Sequence, residues 1–163
     1  MTTKAQAELA ARVRSDRQVW RDLVAAAGDR TEEPGAMGEW TFGDLAGHLA
    51  GWRNRRCAML EAAGRGEPVP PDPWSAEISD DEDIEAINVW IREHDRDRSA
   101  AELIADFDAS YERLAAAIEA LPEGMVEDPA AFAWSDGMAL KDVDLNGHLN
   151  DEHLDEVRAW LAR

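Results

Sequence analysis

The sequence predicts an all-α fold, a bundle of four long helices with one short extra helix, and three observations carry that prediction. Apolar residues recur at helical spacing along almost the whole chain, and no segment alternates long enough to read as a strand. Three polar pairs stand just ahead of apolar runs with the spacing of N-terminal caps, at Thr3–Gln6, Thr41–Asp44 and Ser99–Glu102. Glycine and proline punctuate the chain where those runs stop.

The elements follow in order. The first helix is expected from about Thr3 to Ala27, with the stripe Leu9, Val13, Trp20, Leu23 and Ala27 and a stop at Gly28. The second runs from about Thr41 to Ala63 and ends at Gly64. The loop from Gly64 to Trp74 is rich in Gly and Pro, and proline has no N–H with which to continue a helix. A short third helix fits Ser79 to His94. The fourth follows Ser99, carries Leu103, Phe107, Tyr111, Leu114, Ile118 and Leu121, and closes at Pro122 and Gly124. An irregular segment leads to a last helix from about Leu140 to Leu161. Four amphipathic helices of matched length bury their stripes most simply as a bundle. The long connections at 64–78 and 122–139 are of the kind that covers or lines a functional cavity.

Length and charge bound what such a bundle can do. The 163 residues read as a single domain, 1–163, large enough to bury about two-thirds of the surface of the unfolded chain. With 17 basic against 35 acidic side chains, the net charge of -18 argues against nucleic acid and against an anionic membrane surface as partners. The lone Cys57 excludes an internal disulfide framework and a cysteine-based metal cluster. No basic-then-apolar leader opens the chain and no apolar run approaches about 18 residues, so a cytoplasmic, soluble protein is expected. The charge is uneven. Residues 1–66 carry 10 basic and 9 acidic groups, whereas 77–112 carry 13 acidic against 3 basic and 122–163 carry 10 against 3. These runs read as solvated helix faces, because acidic clusters alone have no coordination geometry.

Histidine carries the chemistry. On the wheel of the second helix, His48 falls within about 60° of Leu45, Trp52 and Met59 and therefore points inward. A buried imidazole needs partners for its nitrogens, so His48 is either a hydrogen-bonded core residue or a metal ligand or acid/base group. On the last helix, His153 falls between Val157 and Trp160 on the apolar arc, and His148 lies about 60° beyond Leu145, outside that arc. Ligands on one helix meet at spacings of three or four; a spacing of five sets them about 140° apart. His148 reaches the interior only through a π-bulge, a distorted helix start, or a pose in which Glu152 replaces His153.

The run Gly38-Glu39-Trp40-Thr41-x-x-Asp44-Leu45-x-x-His48-Leu49-x-x-Trp52 resembles the second-helix signature of the DinB-like superfamily. Ile87-Asn88-x-Trp90-Ile91, the stretch Arg96-Asp97-Arg98-Ser99, then Phe107 and Ser110-Tyr111, are similar to its ClbS/DfsB branch, as are Glu152-His153 and Val157 to Leu161. The resemblance covers nearly the whole chain. It implies an up-down-down-up bundle, often a homodimer, with a cleft at one end of the helices that binds a small molecule. It also implies a divalent metal, zinc or nickel, held by one histidine of the second helix and two of the last. Carried over residue by residue, His48 and His153 match two ligands. The middle ligand falls at Leu149, where this chain is apolar and His148 stands one step away. That departure favours a metal-free arrangement, with His48 and His153 hydrogen-bonded to each other or to Asp16, over a tripod of His48, His148 and His153.

Further candidates surround these. Asp16 lies within the apolar stripe of the first helix, where a carboxylate has a buried arginine as partner, is exposed at the helix end, or serves a site beside His48. Asn88 shares a face with Ile84 and Ile91 and is either a cleft-lining group or a satisfied core amide. His94 ends its helix as a favourable C-terminal cation, and Cys57 reads as a buried small hydrophobe. No Ser-His-Asp order, phosphate-cradling glycine loop or His-Glu-x-x-His run is present. Two functions follow from the resemblance: an enzyme acting on an electrophilic metabolite, as hydrolase or thiol transferase, with His48, His153, Asn88 and Asp16 as its catalytic candidates; or a binding protein that sequesters a ligand in the same cleft without chemistry.

Overall fold

A computed structural model describes residues 1–163. Three long helices dominate it: α1, Lys4–Ala27; α2, Phe42–Gly64; and α4, Ala100–Glu119, with the shorter α3, Ile84–His94, between the last two. All three capping pairs read from the sequence form reciprocal boxes, in which the Thr3, Thr41 and Ser99 hydroxyls accept from the third residue and its side chain bonds back. Gly28 ends α1 with a positive φ of 56°, a conformation glycine adopts without a Cβ penalty.

Contacts along the helices fix their directions. Gln6 reaches the carbonyls of Ile118 and Leu121 at one end, and Arg17 and Arg21 both pair with Asp108 toward the other, so α1 and α4 run antiparallel. Gly43 faces Ala100 while Arg113 pairs with Glu61, so α2 and α4 run parallel. Parallel neighbours need a long crossover, and residues 65–99, which include α3, supply it. The last helical segment sets His148 against His48 and Trp160 against Phe42, antiparallel to α2. The order is therefore up-down-down-up.

The core is one cluster that draws on every long helix. Trp20 stacks on Phe42 at 5.0 Å and meets Phe107 edge-on at 4.8 Å, and Phe42 stacks in turn on Trp160. Close approach of the helices depends on small residues on α2. A Cβ at Gly43 would lie 2.7 Å from that of Ala100, and one at Gly51 would lie 2.9 Å from the Ile91 side chain. A satellite cluster of Trp74, Ile87 and Ile91 anchors the 65–83 connection onto α3.

Three expectations need correction. The third helix starts at Ile84, not near Ser79, because Asp83 takes the cap and accepts from the Ala86 N–H. A short antiparallel hairpin, β1 at Pro34–Met37 and β2 at Trp40–Thr41, precedes α2 where no strand was expected. The last helix does not run from 140 to 161. That stretch is broken into a 3₁₀ turn at Leu140–Asp142, an irregular link, a π-helical turn at His148–His153, and α5 at Leu154–Leu161.

Candidate metal centre and cleft

The broken last helix builds the site. A π turn carries one more residue than an α turn, which brings positions five apart onto one face. The Leu154 N–H bonds the Leu149 carbonyl in that pattern. His148 and His153 therefore face the same point, and the objection that their spacing separates them applies only to a regular α-helix. His148 lies inside the arc from which α-helical geometry excluded it. Leu149, at the expected ligand position, is fully buried in the core.

The three rings converge. His148 Nε2 lies 2.9 Å from His48 Nε2 and 3.2 Å from His153 Nε2. One donor atom from each of the three lies within 4.8 Å of the others, close enough to hold a metal ion. Zinc–nitrogen distances of about 2.0 Å would place two nitrogens of a tetrahedral set roughly 3.3 Å apart, so the separations suit such a set. Burial, with the neighbouring histidines, pulls His48 down to about 3, and burial with His153 and Arg53 pulls His148 down to about 4. His153 is also lowered by burial, against the opposing pull of Glu152 and Glu156. All three are thus neutral imidazoles near pH 7, the form that coordinates a cation. A neutral ring carries only one N–H, so His148 Nε2 cannot both give a proton to one neighbour and take one from the other without changing tautomer. The Trp40 ring meets His48 edge-on at 6.2 Å and helps to hold its orientation, while the buried His48 Nδ1 has no hydrogen-bond partner.

The histidines stand at one side of a cleft of about 540 Å³ walled by Trp52, Phe107 and Trp134. Its position depends on Asn146, which is fully buried two residues before His148. Asn146 Oδ1 accepts from the Tyr111 hydroxyl at 2.9 Å and from Arg53 Nη2 at 3.1 Å, and its amide donates to Asn150 Oδ1. Asn146→Ala would leave a buried phenol and a guanidinium without that acceptor. It is expected to cost about 3 kcal/mol in chemical denaturation, with the helical spectrum retained.

The other sequence candidates distribute as follows. Asn88 borders the cleft and accepts a hydrogen bond from Trp52 Nε1 at 2.9 Å, so its amide is oriented by the wall. Asp16 is half-buried on α1 and is not among the groups that border the cleft; burial and Asp144 push its carboxyl up, against Arg12 and Arg53. His94 sits in the last turn of α3, stacked on Trp90. Cys57 is fully buried and its thiol is pushed up to about 11 by burial, so it behaves as a core hydrophobe. Sequence reasoning passed over Arg53, Arg56 and Asn146. A signal existed for the first: Arg53 interrupts the buried stripe of Leu49, Cys57 and Leu60 at helical spacing.

Comparison with known proteins agrees with this architecture. Residues 13–138 match the family model described as the mycothiol maleylpyruvate isomerase N-terminal domain, which is DinB-like. The matched range holds His48 and ends before His148 and His153. No curated protein and no solved structure matches the chain. No helix is long and apolar enough to cross a membrane.

Proposed function

We propose, from the premise that the chain belongs to the mycothiol maleylpyruvate isomerase N-terminal family, that it is a metal-dependent enzyme acting on an electrophilic small molecule in the cleft. His48, His148 and His153 would hold zinc or nickel, and the convergence of their ring nitrogens is the observation that carries the proposal. A divalent cation in this setting supplies Lewis acidity and lowers the pKa of a coordinated thiol or water.

The nucleophile comes from outside the protein. No serine, threonine, cysteine or lysine borders the cleft, and the buried thiol of Cys57 is held protonated. The nucleophile proposed is a low-molecular-weight thiol or water. The family's description names a thiol, which favours thiol-dependent chemistry over hydrolysis. Asn88 and the three aromatic walls orient the substrate; Glu152, bordering the cleft 3.6 Å from His148 Nε2, is placed to accept a proton. Asp16 does not border the cleft and touches no substrate.

The test is turnover of a panel of small electrophiles by zinc- or nickel-loaded protein, with and without a low-molecular-weight thiol. Thiol-dependent consumption that disappears in His153→Ala is the expected result. Consumption without thiol would reassign the chemistry to hydrolysis. Saturable binding with no consumption, the same in wild type and His153→Ala, would replace the enzyme with a sequestering protein.

A further inference from the structure

In this strongly acidic chain, almost every partly buried arginine has found a carboxylate. Arg14 pairs with Glu112 and Glu119, Arg17 with Asp108, Arg30 with Glu33 and Arg55 with Asp72. Two have not. Arg53 and Arg56, one helical turn apart on α2, both border the cleft, and each has a buried Nη1 with no hydrogen-bond partner. Arg53 is 8% exposed. Its Nη2 is held by Asn146 and the Leu145 carbonyl, and its plane lies over Phe107 and Tyr111. Arg56 is fixed by Trp134, whose ring lies 3.4 Å from its guanidinium carbon. Asp144 and Glu152 border the same cleft, yet neither forms an ion pair with either arginine.

Leaving a buried charge without a counterion is costly, and a chain with 35 acidic residues has carboxylates to spare. Burial together with Arg55 and Arg53 pulls Arg56 down to about 10, which still leaves it charged at neutral pH. Both guanidiniums are held in place by stacking, so little side-chain freedom is lost when an anion arrives. The neighbouring wall is aromatic, formed by Trp52, Phe107 and Trp134.

We infer that Arg53 and Arg56 form an anion-binding subsite of the cleft, which takes the carboxylate of an organic ligand while its remaining part lies along the aromatic wall. The inference rests on this cleft being a ligand site and does not require a cation at the histidines. Arginine suits the task because its planar fork matches a carboxylate through two parallel N–H donors.

Full-length protein stripped of metal is titrated with acetate, benzoate and the neutral isostere benzamide, followed by tryptophan fluorescence and amide NMR shifts. Benzoate is expected to bind about tenfold or more tightly than benzamide, and Arg53→Lys and Arg56→Gln each to weaken benzoate by a similar factor. The titration needs no cation at the histidines, so failure of the metal reading and failure of this one are separately visible. Circular dichroism melts confirm that the variants are folded. Arg56→Gln, by removing an unpaired charge, is expected to melt no lower than wild type, whereas a purely structural arginine would leave a destabilised protein. Equal binding of benzoate and benzamide, undiminished benzoate binding in folded Arg56→Gln, or no binding of either carboxylate to wild type would overturn the subsite. Inorganic phosphate binding through both arginines more tightly than either carboxylate would overturn the carboxylate assignment.

Discussion

Protein purified without an affinity tag is expected to carry one zinc or nickel ion per chain, and His48→Ala, His148→Ala and His153→Ala are each expected to lose it. The three side chains are the whole protein donor set. Deleting one should weaken binding by more than the about 10–100-fold typical of a group that only supports a ligand. Binding also stabilises the fold by linkage, by about 4 kcal/mol when the free ion stands at about a thousand times its dissociation constant. For a chain of this size that corresponds to roughly 10 °C in melting temperature, so chelation should lower the melt and added zinc or nickel should restore it. Elemental analysis with paired melts reads both effects. Metal-free protein whose melt ignores added zinc and nickel would show that the histidines form a hydrogen-bonded cluster instead.

A second large effect appears on acidification of metal-stripped protein. In the unfolded chain each imidazole titrates near 6.5, whereas the folded protein keeps His48 neutral to about 3 and His148 to about 4. Between those limits the unfolded state binds more protons, so stability rises with pH there and is lost as the pH falls. The contribution is fully present above pH 6.5. Each of the two histidines is expected to remove about 1.4 kcal/mol per pH unit below it. Carboxylates held low by arginine, such as Asp108 and Glu112, lose their partners only in more acid solution, and Asp16 and Asp95, pushed up by burial, act in the opposite sense. The histidine part of the slope between pH 6.5 and 5 is therefore read by comparison with His48→Ala. Denaturation midpoints that stay level across that window would contradict the buried neutral rings; a slope that flattens in His48→Ala would assign the effect.

Much of this molecule is legible in its sequence because the rules that write it are local. A cap hydroxyl and its partner three residues on are neighbours whatever the rest of the chain does, and all three pairs formed. His48 was placed inward by wheel geometry alone, because α2 is regular from end to end. The start of α3 was harder to read: Ser79, Asp80, Asp81 and Asp83 are all competent caps, and only packing of Ile87 and Ile91 selects among them. The last helix could not be read by periodicity. Its apolar residues span too broad an arc for one α-helical face because two registers are joined within it. The sequence admits a π-bulge as one solution, but only the meeting of three rings across helices shows that it is the one adopted. The hairpin is too short for alternation to register.

Inserting a residue into an α-helix ordinarily rotates everything beyond it by about 100°, which would turn one half of an amphipathic helix toward water. Here Leu149 on one side of the insertion and Val157 and Trp160 on the other are all buried. The extra residue has been absorbed within the turn that presents His148 and His153. Length variation in proteins is usually tolerated at loop tips; here the extra residue sits beside the histidine cluster. A His-x-x-x-His search passes over the chain, although the donor atoms meet as such a pair would. A spacing of five can therefore bring two histidines together as a spacing of four would, provided the backbone changes from α to π between them.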